Sequence, residues 1–310
     1  MKMNKLLSLL LVLAMLLGAS ALAEGVTLTD MADREVTLDA PATRLVVLQP
    51  ADVEILCAIG AQDTIIGRGA YVDYPDSIVE VPVVDAGAET NIEAILALEP
   101  QAVVMSKMSQ TTEQVEALEQ AGVKVIVSDA QDIEGVYTAI EMLGQLVGKE
   151  TEAAALIDEM KAGFAAVAEQ AAAAGITGKT VYFEISPLAY GLWTAGQNTF
   201  MDEIATICGL TNIFHDQDGW VSVSEEQVIA ANPDLIVTTT NYPVNDLDSV
   251  TEICLRTGWE NISAVQNNLV VLGDNNAMTR PGPRLVEAAQ FLLELALGED
   301  APAEEEVPAA

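Results

Sequence analysis

The segment NIEAILALEPQAVVM (91–105) recurs as SEEQVIAANPDLIVT (224–238), with Asn91 matching Ser224, Glu93 matching Glu226, Ala97 matching Ala230 and Pro100 matching Pro233. A short repeat separated by most of a domain predicts two lobes built to one design. Each copy carries the same local physics: a side chain able to cap a helix, a short amphipathic helix, a proline that stops it, and a β-branched run, AVVM or LIVT, suited to a buried strand. Helix, turn and buried strand in that order form the unit of α/β folds.

Further strand candidates recur between helical patterns: RLVVL (44–48), VKVIV (123–127), KTVYFEI (179–185) and NLVVL (268–272). Their nearly continuous apolar character implies mostly parallel sheets covered on both faces. Between the halves, TEAAALIDEMKAGFAAVAEQAAAA (151–174) has Gly163 as its one glycine and spaces Leu156, Met160, Phe164, Val167 and Ala171 along one helical face. Such a helix would span about 36 Å. A strut between lobes is the expectation, with a crossover helix inside one sheet as the alternative. The expected architecture is therefore α/β, two lobes joined by a single long helix with a ligand cleft between them. The N-terminal lobe is placed at residues 24–148, the interlobe helix at 149–175 and the C-terminal lobe at 176–298.

In open α/β sheets, ligands gather beyond the carboxyl ends of the strands. That rule nominates Gln49 and Pro50, the Tyr71 loop, and Ser106 with Lys107 in the first half. In the second half it nominates Tyr190 and Trp193, then Asn241 and Tyr242, and finally Asp274 through Arg280. The three tryptophans, Trp193, Trp220 and Trp259, all fall in the second half. Loop aromatics converging on one edge suit a bulky organic ligand, although a single one more often packs internally.

The opening residues run from basic Lys2 and Lys5 through an apolar stretch to Ala21-Leu22-Ala23, which reads as a secretory signal over 1–23; a retained membrane anchor is the alternative. No cysteine lies near that point to take a lipid. With 47 acidic residues against 13 basic ones, the formal charge of −34 becomes −36 once Lys2 and Lys5 are lost, which argues against nucleic acid as a partner. Residues 299–310 read as an acidic solvated tail. Cys57, Cys208 and Cys254 are widely spaced without a C-x-x-C, His215 is the single histidine, and no G-x-S-x-G, P-loop or complete G-x-G-x-x-G occurs; GRGAYV (67–72) fails the last pattern. Neither a metal site nor a cofactor is called for, and a monomer is expected.

Arg280 and Arg284 flank a Pro-Gly-Pro in NAMTRPGPRLVEAAQ (276–290), with the prolines stiffening a loop before the last helix. A guanidinium there suits carboxylate, phosphate or phenolate groups on a ligand, and pairing with neighbouring acids is the competing use. Arg280 is assigned to the ligand and Arg284 to an acid. Glu93 and Glu226 each stand in the first turn of a helix, where the helix dipole favours a carboxylate. Capping and docking onto a basic two-fold partner remain equally open from the residues alone.

Several segments, among them VTLTDMADREVTLDAPATRLVVLQPADVEILCAIGA, NIEAILALEP, WTAGQNTFMDEIATICGLTNIF, GWVSVSEEQVIAANPDLIV and RPGPRLVEA, together resemble the periplasmic-binding family for iron-siderophores, vitamin B12 and haem. The resemblance covers residues 26 to 297. It implies a ligand held between two lobes with little hinge closure, and delivery to an ABC importer whose permease dimer meets one glutamate from each lobe. Glu93 and Glu226 match those docking positions. Tyr71, Trp220, Asp274 and Arg280 match cleft positions of cobalamin-binding members, with a longer spacing between Asp274 and the arginine here. The expected function is a non-enzymatic, extracytoplasmic, periplasmic or secreted carrier of a ferric siderophore or corrinoid. Alternatives are a haem carrier using Tyr71 or His215 as axial ligand, and a secreted enzyme using a carboxylate pair such as Asp129 with Asp274.

Overall fold

In the computed structural model, residues 25–85, 90–107 and 111–298 are described. The segments 1–23 and 299–310, read as leader and acidic tail, lie outside the described residues. In the first half, β1 (Val26–Thr29) and β2 (Glu35–Leu38) make an antiparallel hairpin. Strands β3 (Leu45–Val47), β4 (Ile65–Gly69), β5 (Val83–Val84), β6 (Ala102–Ser106) and β7 (Lys124–Ser128) form a parallel sheet in the order β5-β4-β3-β6-β7. Helices α1 (Pro50–Ala58), α2 (Ile92–Ala97), α3 (Thr112–Gln120) and α4 (Ile133–Val147) connect them or follow them. The β3 and β6 strands are wholly buried apart from Ser106, as expected when helices cover both faces of a parallel sheet.

Helix α5 (Glu150–Ala174) leads out of this lobe. It buries Ala153, Ile157, Met160, Phe164, Val167 and Ala171, and ends at Gly175 in the left-handed conformation, φ 68°. The second lobe holds β8 (Thr180–Glu184), β10 (Thr211–Asn212), β12 (Leu235–Thr238) and β13 (Val270–Leu272) in a parallel sheet ordered β10-β8-β12-β13. An antiparallel ribbon of β9 (Trp193–Ala195) and β11 (Trp220–Ser222) stands beside it. Its helices are α6 (Phe200–Ile207), α7 (Glu225–Ala231), α8 (Ser249–Cys254), α9 (Ser263–Gln266), α10 (Asn275–Thr279) and α11 (Leu285–Leu297). The glycine that interrupts the alanine-rich helix has a packing reason: a Cβ on Gly163 would come within 2.5 Å of Val286 Cγ1, so α11 presses against α5 where no side chain intervenes.

The sequence repeat is a structural repeat. Asn91 and Ser224 each accept a hydrogen bond from a backbone N–H of the first turn, on Ala94 and Gln227. Ile95 and Val228 fill the equivalent buried positions, both 0% exposed. Each helix then leaves through a left-handed residue before its proline, Glu99 at φ 51° and Asn232 at φ 49°. One hydrophobic core runs through both lobes by way of α4, α5, α6 and α11, with a satellite cluster on the outer face of each sheet. The continuous core ties the lobes together by burial, and burial is non-directional and cooperative over such an area.

Candidate ligand-binding cleft

The N-terminal sheet reverses its direction of growth between β3 and β6, and the C-terminal sheet does so between β8 and β12. Crevices open beyond such reversals. A cavity of about 550 Å³ lies there, reached by Gln49, Pro50 and Asp52 after β3, Ser106 at the end of β6, Ser128 and Asp129 at the end of β7, and Ile185 and Ser186 after β8. The second lobe adds Trp193, Trp220, Phe200 and the Thr279–Pro281 loop. An adjoining cavity of about 540 Å³ shares Gln49, Pro50 and Arg280 and is bordered by Tyr71 and Asp73.

Two inter-lobe seams flank the cleft. On one side the Trp220 indole N–H donates to Gln131 Oε1 at 2.9 Å, and the Phe200 backbone N–H donates to the Gln131 carbonyl at 2.9 Å. Trp220 also meets Phe200 edge to face, with centroids 5.1 Å apart, so the indole is fixed in two directions. On the other side Glu54, which α1 buries, receives both arginines of the Pro-Gly-Pro stretch: Arg280 Nη1 at 2.8 Å and Arg284 Nε at 2.8 Å. Arg280 reaches Asp73 with its other nitrogen at 2.8 Å, while Arg284 stacks over Tyr74 at 4.4 Å. The loop carrying these residues is held by Arg68, which donates to the carbonyls of Val72, Val79 and Val81. Its neighbour Gly69 is required for close approach, since a Cβ there would sit 2.1 Å from the Leu48 carbonyl oxygen. The GRG of 67–69 thus serves packing.

The structure gathers some of the nominated residues and disperses others. Gln49, Pro50, Trp193, Trp220 and Arg280 line the main cavity, and Tyr71, 80% exposed, borders the adjoining one. Lys107, Tyr242 and Asp274 line neither. Lys107 points to solvent and approaches Asp129 at 3.9 Å, Tyr242 is half-exposed, and Asp274 caps α10 through the N–H groups of Asn276 and Ala277 while facing Arg284 at 3.7 Å. Arg280 reaches the cleft, but it arrives already ion-paired, because Glu54, buried in helix α1, accepts from both arginines of the other lobe. Arg284 takes the acid-pairing assigned to it. His215 is turned toward Asp202, Nδ1 to Oδ2 at 2.8 Å, outside both linings. The proposed carboxylate pair is not assembled as one site either, since Asp129 lines the main cavity and Asp274 does not. Trp259 is core, wholly buried beneath Arg256. Among the described residues no group of three or more His, Cys, Asp or Glu is placed to hold a metal ion.

Asp52 is the cleft residue that motif reasoning passes over. It lies in the first turn of α1, is 2% exposed, and burial pushes its carboxyl up to about 7 despite a hydrogen bond from Ser128. An acid raised in the folded state binds a proton that the unfolded chain, at 3.8, has released, so stability falls as pH rises from about 4 to about 7. Asp52→Asn is therefore expected to raise unfolding free energy by about 1–3 kcal/mol at pH 8 and to change it little below pH 4, by denaturant melts at both pH values. The available signal was the sequence QPADVEIL itself: α1 buries Ala51 through Leu56, and two of those buried positions are acids.

Comparison with known proteins agrees with this geometry. A model of the periplasmic binding protein family matches residues 45–277. The uncharacterized ABC transporter substrate-binding lipoprotein YvrC of Bacillus subtilis (strain 168) is 33% identical over 87% of this chain and 84% of its own length. The cobalamin-binding protein of Halobacterium salinarum is 28% identical over 84% of this chain and 71% of its own. The solved structure of a possible iron-binding, periplasmic solute-binding protein from Staphylococcus epidermidis ATCC 12228 superposes with a TM-score of 0.71 at 28% identity, covering 82% of this chain and 98% of that one. Two repeated α/β lobes, a single connecting helix and a cleft at the carboxyl ends of both sheets are thus accompanied by likeness along most of the chain, which belongs to the periplasmic binding protein family.

Proposed function

We propose that the protein is an extracytoplasmic carrier that takes up a bulky, largely apolar chelate, a cobalamin-type corrinoid foremost, and presents it to the permease of an ABC importer. The observation that carries this is the cavity between the lobes, walled by Trp193, Trp220 and Phe200 and given its polar groups by strand ends of both sheets. Half-exposed Trp193 offers a ring face to the ligand, while Trp220 is braced from behind by Gln131 and Phe200. Gln49, Pro50 and Tyr71 complete the N-terminal side in this reading. The cobalamin-binding relative supports the corrinoid, and the substrate-binding lipoprotein supports the transporter. Arg280 acts as a cross-brace between lobes more than as a free anion anchor, so a polyanionic siderophore is the less favoured cargo.

The tryptophans provide the test. Trp193 and Trp220 line the cavity and Trp259 is buried in the core, so cyanocobalamin is expected to quench the first two strongly. Trp193→Phe with Trp220→Phe should abolish most of the quenching and weaken binding about 10-fold or more, as for loss of central aromatic anchors. Absence of any response in the unaltered protein, with the protein folded, would remove the corrinoid reading.

Docking is assigned to Glu93 and Glu226. Both are exposed first-turn residues on equivalent helices, each of which precedes a parallel strand and therefore starts at the cleft edge of its sheet. Bonds from its own backbone N–H and from the Ser224 side chain hold Glu226 below the usual carboxylate range, keeping it charged.

A further inference from the structure

Two buried side-chain oxygens on residues that line the cavity have no hydrogen-bond partner among the described residues: Asp52 Oδ2, from the first turn of α1, and Thr194 Oγ1, from β9 of the opposite lobe. Asp52 is 2% exposed and Thr194 0%, and both line the main cavity. Native proteins rarely leave buried polar atoms alone, and beside a cavity an incoming molecule can complete the set.

The charges around the cavity say which ligand groups fit. Its lining carries the carboxylates of Asp52 and Asp129 and the guanidinium of Arg280. Arg280 is already shared between Glu54 and Asp73, and Asp129 faces Lys107 only at 3.9 Å. Above pH 7, where Asp52 is ionised, an incoming carboxylate would meet two like charges and, among the described residues lining the cavity, no unshared cation. A neutral carboxamide behaves differently, because its N–H can donate to a carboxylate, which only accepts when ionised, and its carbonyl can accept from a hydroxyl.

Resting on the carrier reading above, we propose that Asp52 and Thr194 are specificity-determining residues, one from each lobe, that hydrogen-bond carboxamide groups of the ligand and so select amide-bearing chelates over carboxylate-bearing ones. Thr194 donates to an amide carbonyl and Asp52 accepts from an amide N–H. The pair spans the cleft, so the ligand's rim is read from both sides. Sites built around unpaired polar groups discriminate strongly against analogues that leave those groups unpaired.

The test is titration at pH 8 with three probes: cyanocobalamin, its derivative with one peripheral amide hydrolysed to a carboxylate, and haemin, which carries two carboxylates. The unaltered protein is expected to bind cyanocobalamin about 10-fold more tightly than the monocarboxylate, and haemin more weakly still. Thr194→Val, which keeps the shape, and Asp52→Ala should each weaken cyanocobalamin about 10-fold. Asp52→Asn keeps an acceptor oxygen and removes the charge, so it should weaken cyanocobalamin less than Asp52→Ala does while bringing the monocarboxylate to within about 3-fold of it. Because Asp52→Asn is expected to melt higher than the parent, a lost preference cannot be put down to misfolding. Unchanged cyanocobalamin affinity in both Thr194→Val and Asp52→Ala overturns the inference and leaves the carrier reading standing. Preference of the unaltered protein for the monocarboxylate also overturns it alone. Binding of haemin with no binding of either corrinoid, or binding of none of the three, overturns both the inference and the corrinoid reading.

Discussion

Replacing Arg256 by alanine is expected to lower unfolding free energy by about 3–5 kcal/mol, the range for breaking a buried ion pair from one side. Arg256 has a side chain 3% exposed and bridges two acids: Glu184, 0% exposed at the end of β8, and Glu252, 10% exposed on α8. It grips Glu184 with both terminal nitrogens, at 2.6 and 2.8 Å, and donates to Glu252 through Nε at 3.1 Å. Its planar head also lies over the Trp259 ring at 4.5 Å. Burial, with the charges of Glu252 and Glu225, raises the Glu184 carboxyl above its ordinary value, and Arg256 is the group that pulls against that rise. Without the arginine, Glu184 would be raised further and would enter the folded state protonated. The deficit should therefore grow as pH climbs, because a raised acid costs stability above its unfolded pKa. Thermal melts at pH 5 and pH 8 should show a fall of about 10 °C at the higher pH and a smaller one at the lower. Replacing Arg256, Glu184 and Glu252 together by apolar residues of similar volume should recover most of the loss. If Arg256→Ala melts like the parent at both pH values, the triad does not hold β8 to α8 as its distances indicate. The stakes reach the cleft, because Ile185 and Ser186, the next residues after Glu184, line it.

The second large effect concerns delivery. Changing Glu93 and Glu226 to arginine together is expected to reduce transporter-dependent uptake by about 100-fold or more, since like charges set against each other cost several kcal/mol. Ligand affinity should stay within about 2-fold, because neither residue lines the cavity. Single reversals should be intermediate and similar to each other, as the repeat predicts. The measurement pairs uptake in cells with ligand titration of the purified protein. Uptake unaffected by the double reversal would leave the two glutamates as favourable first-turn charges and no more. Capping itself is not at risk, because Asn91 and Ser224 supply it.

Much of the fold was legible in the chain. The repeat announced two lobes, β-branched runs gave the strands, and one alanine-rich stretch gave the long helix. Even the left-handed exits at Glu99 and Asn232 follow from the proline each precedes, which disfavours continued helix. The site was legible only at its edges. The rule for strand ends found Gln49, Pro50 and Trp193, because topology fixes where such residues emerge. Family likeness added Trp220, whose short strand β11 joins β9 rather than the main sheet. Lys107, Tyr242 and Asp274 also follow strands and yet stand away from the cavity linings, since side-chain direction depends on loop paths that periodicity does not encode.

What the sequence by itself determined is local and repetitive: which segments form strands, where helices start and stop, and that the second half restates the first. These follow from interactions between near neighbours, whose geometry the backbone fixes. Only the tertiary structure decided how charges were spent. Arg280 meets Glu54 across 226 positions of chain, and that pairing turned an expected anion anchor into a brace between lobes. Asp52 and Thr194 were left with an unpartnered oxygen each in the same way, because whether a buried polar atom has a partner depends on every element packed around it.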